Sequence, residues 1–393
     1  MTTSVIVGGA RTPIGRFGSA LATLSGAELG AVAIRAALER AGVDGAKVDY
    51  VVMGQVLQAG TGQITARQAA IAAGIPKEVP AITINKVCLS GLNAVAMADQ
   101  MIRAGEADIV VAGGMESMSR APYLLPKARE GFRIGDGAVV DSLLYDGLFS
   151  TFTGLAMGES SDAVNAELGI TRAAQDAWAA RSHERAAQAW ATGAMAEEVV
   201  PVEVLGKGGV TVVDRDEGIR ADTTVERLGA LRPAFSPDGT ITAGNASQIS
   251  DGAAALVVAR REVADALGLT PLAEIVAHGM SAGEFPYLHT VPAVALDRAL
   301  AKAGLTAGDL DRLEVNEAFA AVALHVTRLV GVPEDRVNVH GGAVALGHPI
   351  GASGARIALT LVHELRRAGV ALAAATICGG GGQGDALILR NAG

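Results

Sequence analysis

Cysteine is almost missing from this chain: two occur in 393 residues, Cys88 and Cys378. A pair so few and so distant builds no disulfide framework of the secreted kind, so a reducing, cytoplasmic setting is expected. Aromatics are scarce too, at 3% against 50% hydrophobic residues. The core must therefore be Ala, Val, Leu, Ile and Gly, which favours close helix-on-sheet packing in α/β layers. Clusters of Lys or Arg are absent and the net charge is −9, which argues against nucleic acid or an anionic membrane surface as the main partner. No apolar run approaches the roughly 18 residues of a membrane span. The start, MTTSVIVGGARTP, lacks the basic and apolar regions of an export signal, and Asn391-Ala392-Gly393 is neither a peroxisomal nor a prenylation signal.

What is present is repetition. At this length the chain divides most simply into two or three domains. RAGVDGAKVDYVVMG at 40–54 has a counterpart in KAGLTAGDLDRLEVN at 302–316, and GLNAVAMADQMIRAGEADIVVAGG at 91–114 resembles GARIALTLVHELRRAGVALAAATICGG at 354–380. In the first pair an alanine-rich helix (26–41 and 292–303) ends at Ala-Gly, an acidic turn follows, and an apolar strand comes next. Both pairs keep order and nearly the same offset, as two halves of one fold would. Between them, 119–247 reads differently, with Pro, Tyr, Phe and Met and an amphipathic helix through TRAAQDAWAARSHERAAQAW. The expected division is 1–118 plus 248–269, an inserted 119–247, and 270–393.

Cys88 closes a strand-like run, AITINKV, and opens a helix-like one. A thiol at a helix start meets unpaired backbone N–H groups and the positive end of the dipole, which lower its pKa and favour a nucleophilic thiolate. The plainer reading is a small buried hydrophobe. Of seven histidines only His348 lies in a glycine-dense stretch, HGGAVALGHPIGASGAR at 340–356, where Pro349 helps fix the backbone. His183, His278, His289, His325 and His363 read as structural or solvated, and His340 stays ambiguous. A Cys–His pair can hold a thiolate and later return its proton. Cys378 precedes Gly379–Gly382, Gln383 and Gly384. The string satisfies G-x-G-x-x-G, yet strand-like DALILR follows it, with no helix and no acid some 20 residues on, which argues against a dinucleotide fingerprint. Bare glycine does offer backbone N–H donors to an oxyanion. Asn316, in NEAF, can hold a water or an oxygen.

NKVCLSGLNAV, NEAFAAVA, GGAVALGHPIGASGAR and CGGGGQGDA, in this order and spacing, resemble the signatures of the thiolases over essentially the whole chain. The resemblance implies a five-layer αβαβα sandwich of two similar α/β halves with an inserted loop domain. It implies Cys88 as the nucleophile taking an acyl group from coenzyme A, His348 as its proton acceptor, and Cys378 as the second acid/base. Two oxyanion sites follow, one from His348 with a water on Asn316, the other from the N–H groups of Cys88 and Gly380. Coenzyme A contacts carried over are Arg220 near the nucleotide, Ser247 near the pantetheine, and Met157, Phe235, Ala318 and Phe319 as apolar walls. The implied chemistry joins two acetyl-CoA into acetoacetyl-CoA and coenzyme A, or reverses it. No tightly bound cofactor or metal is implied, and the chain should be a cytoplasmic homo-oligomer, dimer or tetramer, placed in fatty acid metabolism.

Ala156 stands where short-chain members usually carry histidine before Met157-Gly158, His340 where asparagine is usual, and PYLHTVPA at 286–293 lacks a common Gly-Pro. A broader 3-ketoacyl-CoA thiolase is therefore the alternative. From other classes come a non-catalytic acyl-CoA-binding homologue and a metal site on Cys88, His340, His348 and Cys378. The last finds no Cys-x-x-Cys or His-x-x-x-His spacing. If both thiols serve one reaction, they must lie close together in the fold.

Overall fold

The computed structural model describes residues 2–206 and 208–393. In chain order, its main elements are β1 (Ser4–Arg11), α1 (Gly26–Ala41), β2 (Tyr50–Gly54), β3 (Ala81–Ile84), α2 (Ser90–Ala104), β4 (Ile109–Ser117) and α3 (Arg172–Ala191). Then follow β5 (Ser250–Arg260), β6 (Ala273–Ala282), α4 (Val291–Ala303), β7 (Arg312–Val315), α5 (Ala320–Val330), α6 (Ser353–Ala368), β8 (Leu372–Gly379) and β9 (Gln383–Asn391). The strands order as β7-β8-β9-β6-β1-β5-β4-β2-β3, with a short strand at Gly15–Arg16 beside β5.

The duplication is visible in that order. β3, β2 and β4 run parallel, β5 is antiparallel to β4, and β1 to β5. In the second half β7 and β8 run parallel, β9 is antiparallel to β8, and β6 to β9. The counterpart of β3 is reduced to one bridge, Leu313 to Val337. The halves join where β1 meets β6, at Val5 with Glu274 and Ile6 with Ala273.

Alternate residues along each strand go to opposite faces, and the buried clusters follow that rule. Val51 and Met53 pack outward against Leu29 and Ile34 of α1. Val52 packs inward with Leu92 and Val95 of α2 and with Ile357 and Leu361 of α6, and Ile377 and Leu387 of the second half join the same cluster. On the far side, Leu296 of α4 and Val322 of α5 cover Val315 and Ile388. This is helix, sheet, paired central helices, sheet, helix: the expected five layers. The central helices touch at their first turns. A Cβ on Gly91 would lie 2.6 Å from the nitrogen of Ala355, and one on Gly354 would lie 2.3 Å from that of Leu92.

Among the described residues, 119–249 add no strand to the large sheet and form three small two-stranded ones. The amphipathic segment is α3, and Thr171 caps it by accepting from the N–H of Ala174. Arg11 ties this region to β1. Fully buried, it bonds Glu198 at 2.7 Å and Asp216 at 2.7 Å.

Candidate active site

Cys88 sits in a tight elbow between β3 and α2. The helix itself runs from Ser90, after an N-cap at Leu89, two residues later than the sequence led one to expect. Val87 has φ of 51°, costly for a β-branched residue and a sign of a locally constrained turn. Side chains hold it there: Asn85 Oδ1 accepts from the N–H of Val87 at 3.0 Å, and Ser90 Oγ donates to the carbonyl of Val87 at 2.6 Å. Ser90 Oγ also accepts from the N–H of Lys86 at 2.8 Å, and Lys86 Nζ reaches Asp385 of β9 at 2.6 Å. Sequence reasoning missed this strain, because nothing in a valine announces a left-handed backbone.

The thiol does not behave as a helix-start position suggests. Burial pushes Cys88 up to about 12, against the lowering effect of its own N–H and that of Gly380, while the charge of Glu116 raises it further. Desolvation outweighs the dipole because the sulfur lies two residues outside the helix, with only two N–H donors. Cys378 is driven higher still by burial and then by the nearby Cys88. His348 is pushed down to about 3, first by burial and then by Arg356. Burial thus favours the neutral form of all three groups, two thiols and an imidazole.

Cys88, Cys378, His348 and Gly380 line one chamber of about 60 Å³, walled also by Met157 and Phe319. The two thiols, distant in sequence, do lie close together. His348 is fixed from two sides. Its N–H donates to the carbonyl of Gln248 at 3.0 Å, and its Nδ1 is 2.6 Å from Ser353 Oγ. Its Nε2 is buried without a partner, leaving it free to take a proton. The glycine ribbon after Cys378 is the hairpin connection from β8 to β9, with Gly381 at φ 78° and Gly382 at φ 65°. The run serves a strand turn rather than a nucleotide.

The remaining candidates fall in four places. Met157, Phe235, Ser247 and Phe319 line an apolar channel of about 270 Å³, which also reaches His348. Phe235 meets Phe319 edge to face at 6.1 Å. Ala318 and Ser247 wall the chamber, joined by the N–H of Ser247 donating to the carbonyl of Ala318 at 3.0 Å. Asn316 does not line the chamber; it is fully buried, with both side-chain amide atoms unpartnered, and such atoms call for an ordered water or ligand. Arg220 is exposed and outside these cavities, its N–H donating to His183 Nδ1 at 3.1 Å. A further cavity of about 640 Å³ shares Val87, Met157 and Gly380 with the chamber.

Glu317 escaped notice as a residue in its own right. Buried, it accepts from Trp178 and Ser182 of α3, from Asn338, and from the N–H of Val344, so it locks the NEAF segment to the glycine-rich loop. His340 bonds Glu364 at 2.7 Å and lines none of the spaces around Cys88. No group of three or more His, Cys, Asp or Glu among the described residues is placed to hold a metal ion.

A layered α/β protein that gathers two thiols and one imidazole beside backbone N–H donors is built for covalent acyl chemistry on cysteine. The family models for the thiolase N-terminal domain and the thiolase C-terminal domain match residues 4–262 and 269–391. The chain belongs to the thiolase family and is an enzyme of that type. It is 57% identical to a probable acetyl-CoA acetyltransferase of Mycolicibacterium smegmatis over 98% of this chain and 100% of that protein. It is 51% identical to the acetyl-CoA acetyltransferase of Escherichia coli K12 over 99% of each. With that of Cupriavidus necator it shares 50%, over 99% of this chain and 100% of the relative.

Proposed function

We propose that this chain is an acetyl-CoA C-acetyltransferase, joining two acetyl-CoA into acetoacetyl-CoA and coenzyme A, and running in reverse as a thiolysis. The observation that carries the reading is the convergence of Cys88, Cys378 and His348 on one 60 Å³ chamber, in a chain so similar to proteins of that name. Cys88 Sγ attacks the thioester carbonyl as His348 Nε2 takes its proton. Because burial favours the neutral form of both, sulfur attack and proton transfer are coupled. The N–H groups of Cys88 and Gly380, which act to lower the thiol's pKa, hold the developing oxyanion. Coenzyme A leaves with the proton from His348. His348, neutral again, takes the Cys378 proton as Cys378 Sγ removes an α-proton from the second acetyl-CoA; the carbanion attacks acetyl-Cys88, and the departing Cys88 sulfur takes back the proton from His348. A water on Asn316, with His348, steadies the enolate oxygen.

Coenzyme A enters by the apolar channel of Met157, Phe235, Ser247 and Phe319, past Ala318 in the chamber wall, with Arg220 outside on its phosphates. Within this reading the three sequence segments are the two halves and the coenzyme-A-binding insertion. Among the described residues no helix is long and apolar enough to cross a membrane. Our reading places the chain in the cytoplasm and in fatty acid metabolism. Ile134 at 98% exposure and Tyr123 at 68% put apolar surface on the insertion, which supports a homo-oligomer, a tetramer in this reading.

Mass spectrometry after exposure to acetyl-CoA tests the proposal. An acetyl group on Cys88, absent from Cys88→Ala, is expected; a wild-type chain left unmodified at Cys88 defeats it and favours a non-catalytic homologue. The 640 Å³ cavity favours a second reading, a broader 3-ketoacyl-CoA thiolase. Thiolysis rates on four-carbon against longer 3-ketoacyl-CoA decide between the two.

A further inference from the structure

Glu116 is fully buried in β4 and has no part in the steps above. Its carboxylate accepts from three backbone N–H groups on two separate segments: Val56 at 2.9 Å, Leu57 at 3.2 Å and Gly351 at 3.0 Å. Those segments wall the site. Val56, Leu57 and Ile350 belong to one apolar cluster, against which Val87 and Cys88 pack. Gly351 closes the turn that carries His348, and its carbonyl is as tightly enclosed as its N–H. A Cβ on Gly114 would stand 2.0 Å from that oxygen, one on Gly54 2.8 Å, and one on Gly91 3.0 Å. The turn from the second half is thus plugged into a glycine-lined slot of the first, and Glu116 bonds its Gly351 N–H.

We propose that Glu116 is a positioning residue: its ionised carboxylate clamps the Val56-Leu57 and Gly351 backbones together and so sets His348 against Cys88. This rests on the proposed roles of those two residues. Charged and titratable groups facing the carboxylate are Asp251 of β5 and the Cys88 thiol; its other partners are the three N–H groups. Burial, then the charge of Asp251, pushes Glu116 up to about 7 against those hydrogen bonds. Protonation gives up an acceptor site the clamp needs, so the clamp loosens as pH falls through neutrality. Neither His348, pushed down to about 3, nor the thiols, both pushed up, titrate there.

The test measures kcat for acetoacetyl-CoA thiolysis and the rate of Cys88 alkylation by iodoacetamide from pH 5.5 to 9, as ~0.5-unit steps, for wild type, Glu116→Gln and Glu116→Asp. An ångström of misplacement costs about 100-fold, so both variants should lose roughly 10- to 100-fold in kcat, with KM within about twofold. The wild-type break near neutrality should vanish in Glu116→Gln and persist in Glu116→Asp, which keeps the charge but shortens the reach. A Gln variant that retains the break, or wild-type rates flat across neutrality, overturns the proposal. If Glu116→Gln does not fold, Glu116→Asp decides by its kcat. Wild-type protein inactive on acetoacetyl-CoA defeats the proposed activity instead, and the alkylation profile still judges the clamp.

Discussion

Ser353 Oγ stands 2.6 Å from Nδ1 of His348 and donates to the carbonyl of Pro349 at 3.0 Å. Having given its proton to that carbonyl, the hydroxyl accepts from Nδ1–H, which leaves the lone pair on Nε2, the nitrogen without a partner. Removing this hydroxyl frees both the tautomer and the ring. Ser353→Ala should lower kcat about tenfold, the equivalent of about 1.4 kcal/mol, with little change in KM. Steady-state thiolysis kinetics check it.

A thiol held up near 12 has almost no thiolate at neutral pH unless a base takes its proton as it reacts. His348→Asn removes the base proposed for it while filling similar space. Alkylation of Cys88 at pH 7.5 should slow by roughly 100-fold, in the range of a lost general base. Peptide mass spectrometry over a time course reads the rate at Cys88 alone.

Arg11, Glu198 and Asp216 form a buried charge cluster between β1 and the inserted region. Arg11→Met leaves two carboxylates buried without their cation. Breaking such a cluster from one side costs about 3–5 kcal/mol, which urea unfolding should show as a lower midpoint. The activity of whatever remains folded should stay closer to normal than the stability, since Arg11 touches no wall of the chamber.

His289 is fully buried, both ring nitrogens lack partners, and burial followed by the neighbouring His325 pushes it down to about 3 from the ordinary 6.5. Between those values the unfolded chain binds the proton and the folded chain does not. Its contribution to stability is therefore intact above about pH 6.5 and is lost as pH falls toward 3. His289→Leu removes this dependence. The stability of wild type relative to the variant should fall by up to about 1.4 kcal/mol per pH unit across that window, measured by urea unfolding at several pH values.

The elements legible in the sequence were those whose signal is local. α1 and α4 announce themselves by alanine-rich faces and Ala-Gly ends, and the repeated strand β2/β7 by its apolar run after an acidic turn. Cys88, His348 and Cys378 stood out by rarity and by glycine around them. What local reading could not supply was the sign of Cys88's pKa shift. That depends on desolvation by segments far away in the chain, among them Met157 and Phe319 in the chamber wall. The same limit hid the left-handed turn at Val87, the clamp at Glu116 and the lock at Glu317, each defined by partners from distant elements. Arg220 illustrates the converse: the sequence marks a cation, and the structure leaves it on the surface beside His183.

The two central helices begin alike. Ser90 at one start bonds the carbonyl of Val87, and Ser353 at the other bonds that of Pro349; Gly91 and Gly354 follow and meet face to face. Two identical halves brought together in this way would have to present the same side chains at both starts. Joined in one chain, they are released from that symmetry: a thiol can occupy one turn and an imidazole the other. Two chemically unlike side chains, Cys88 and His348, can then line one chamber.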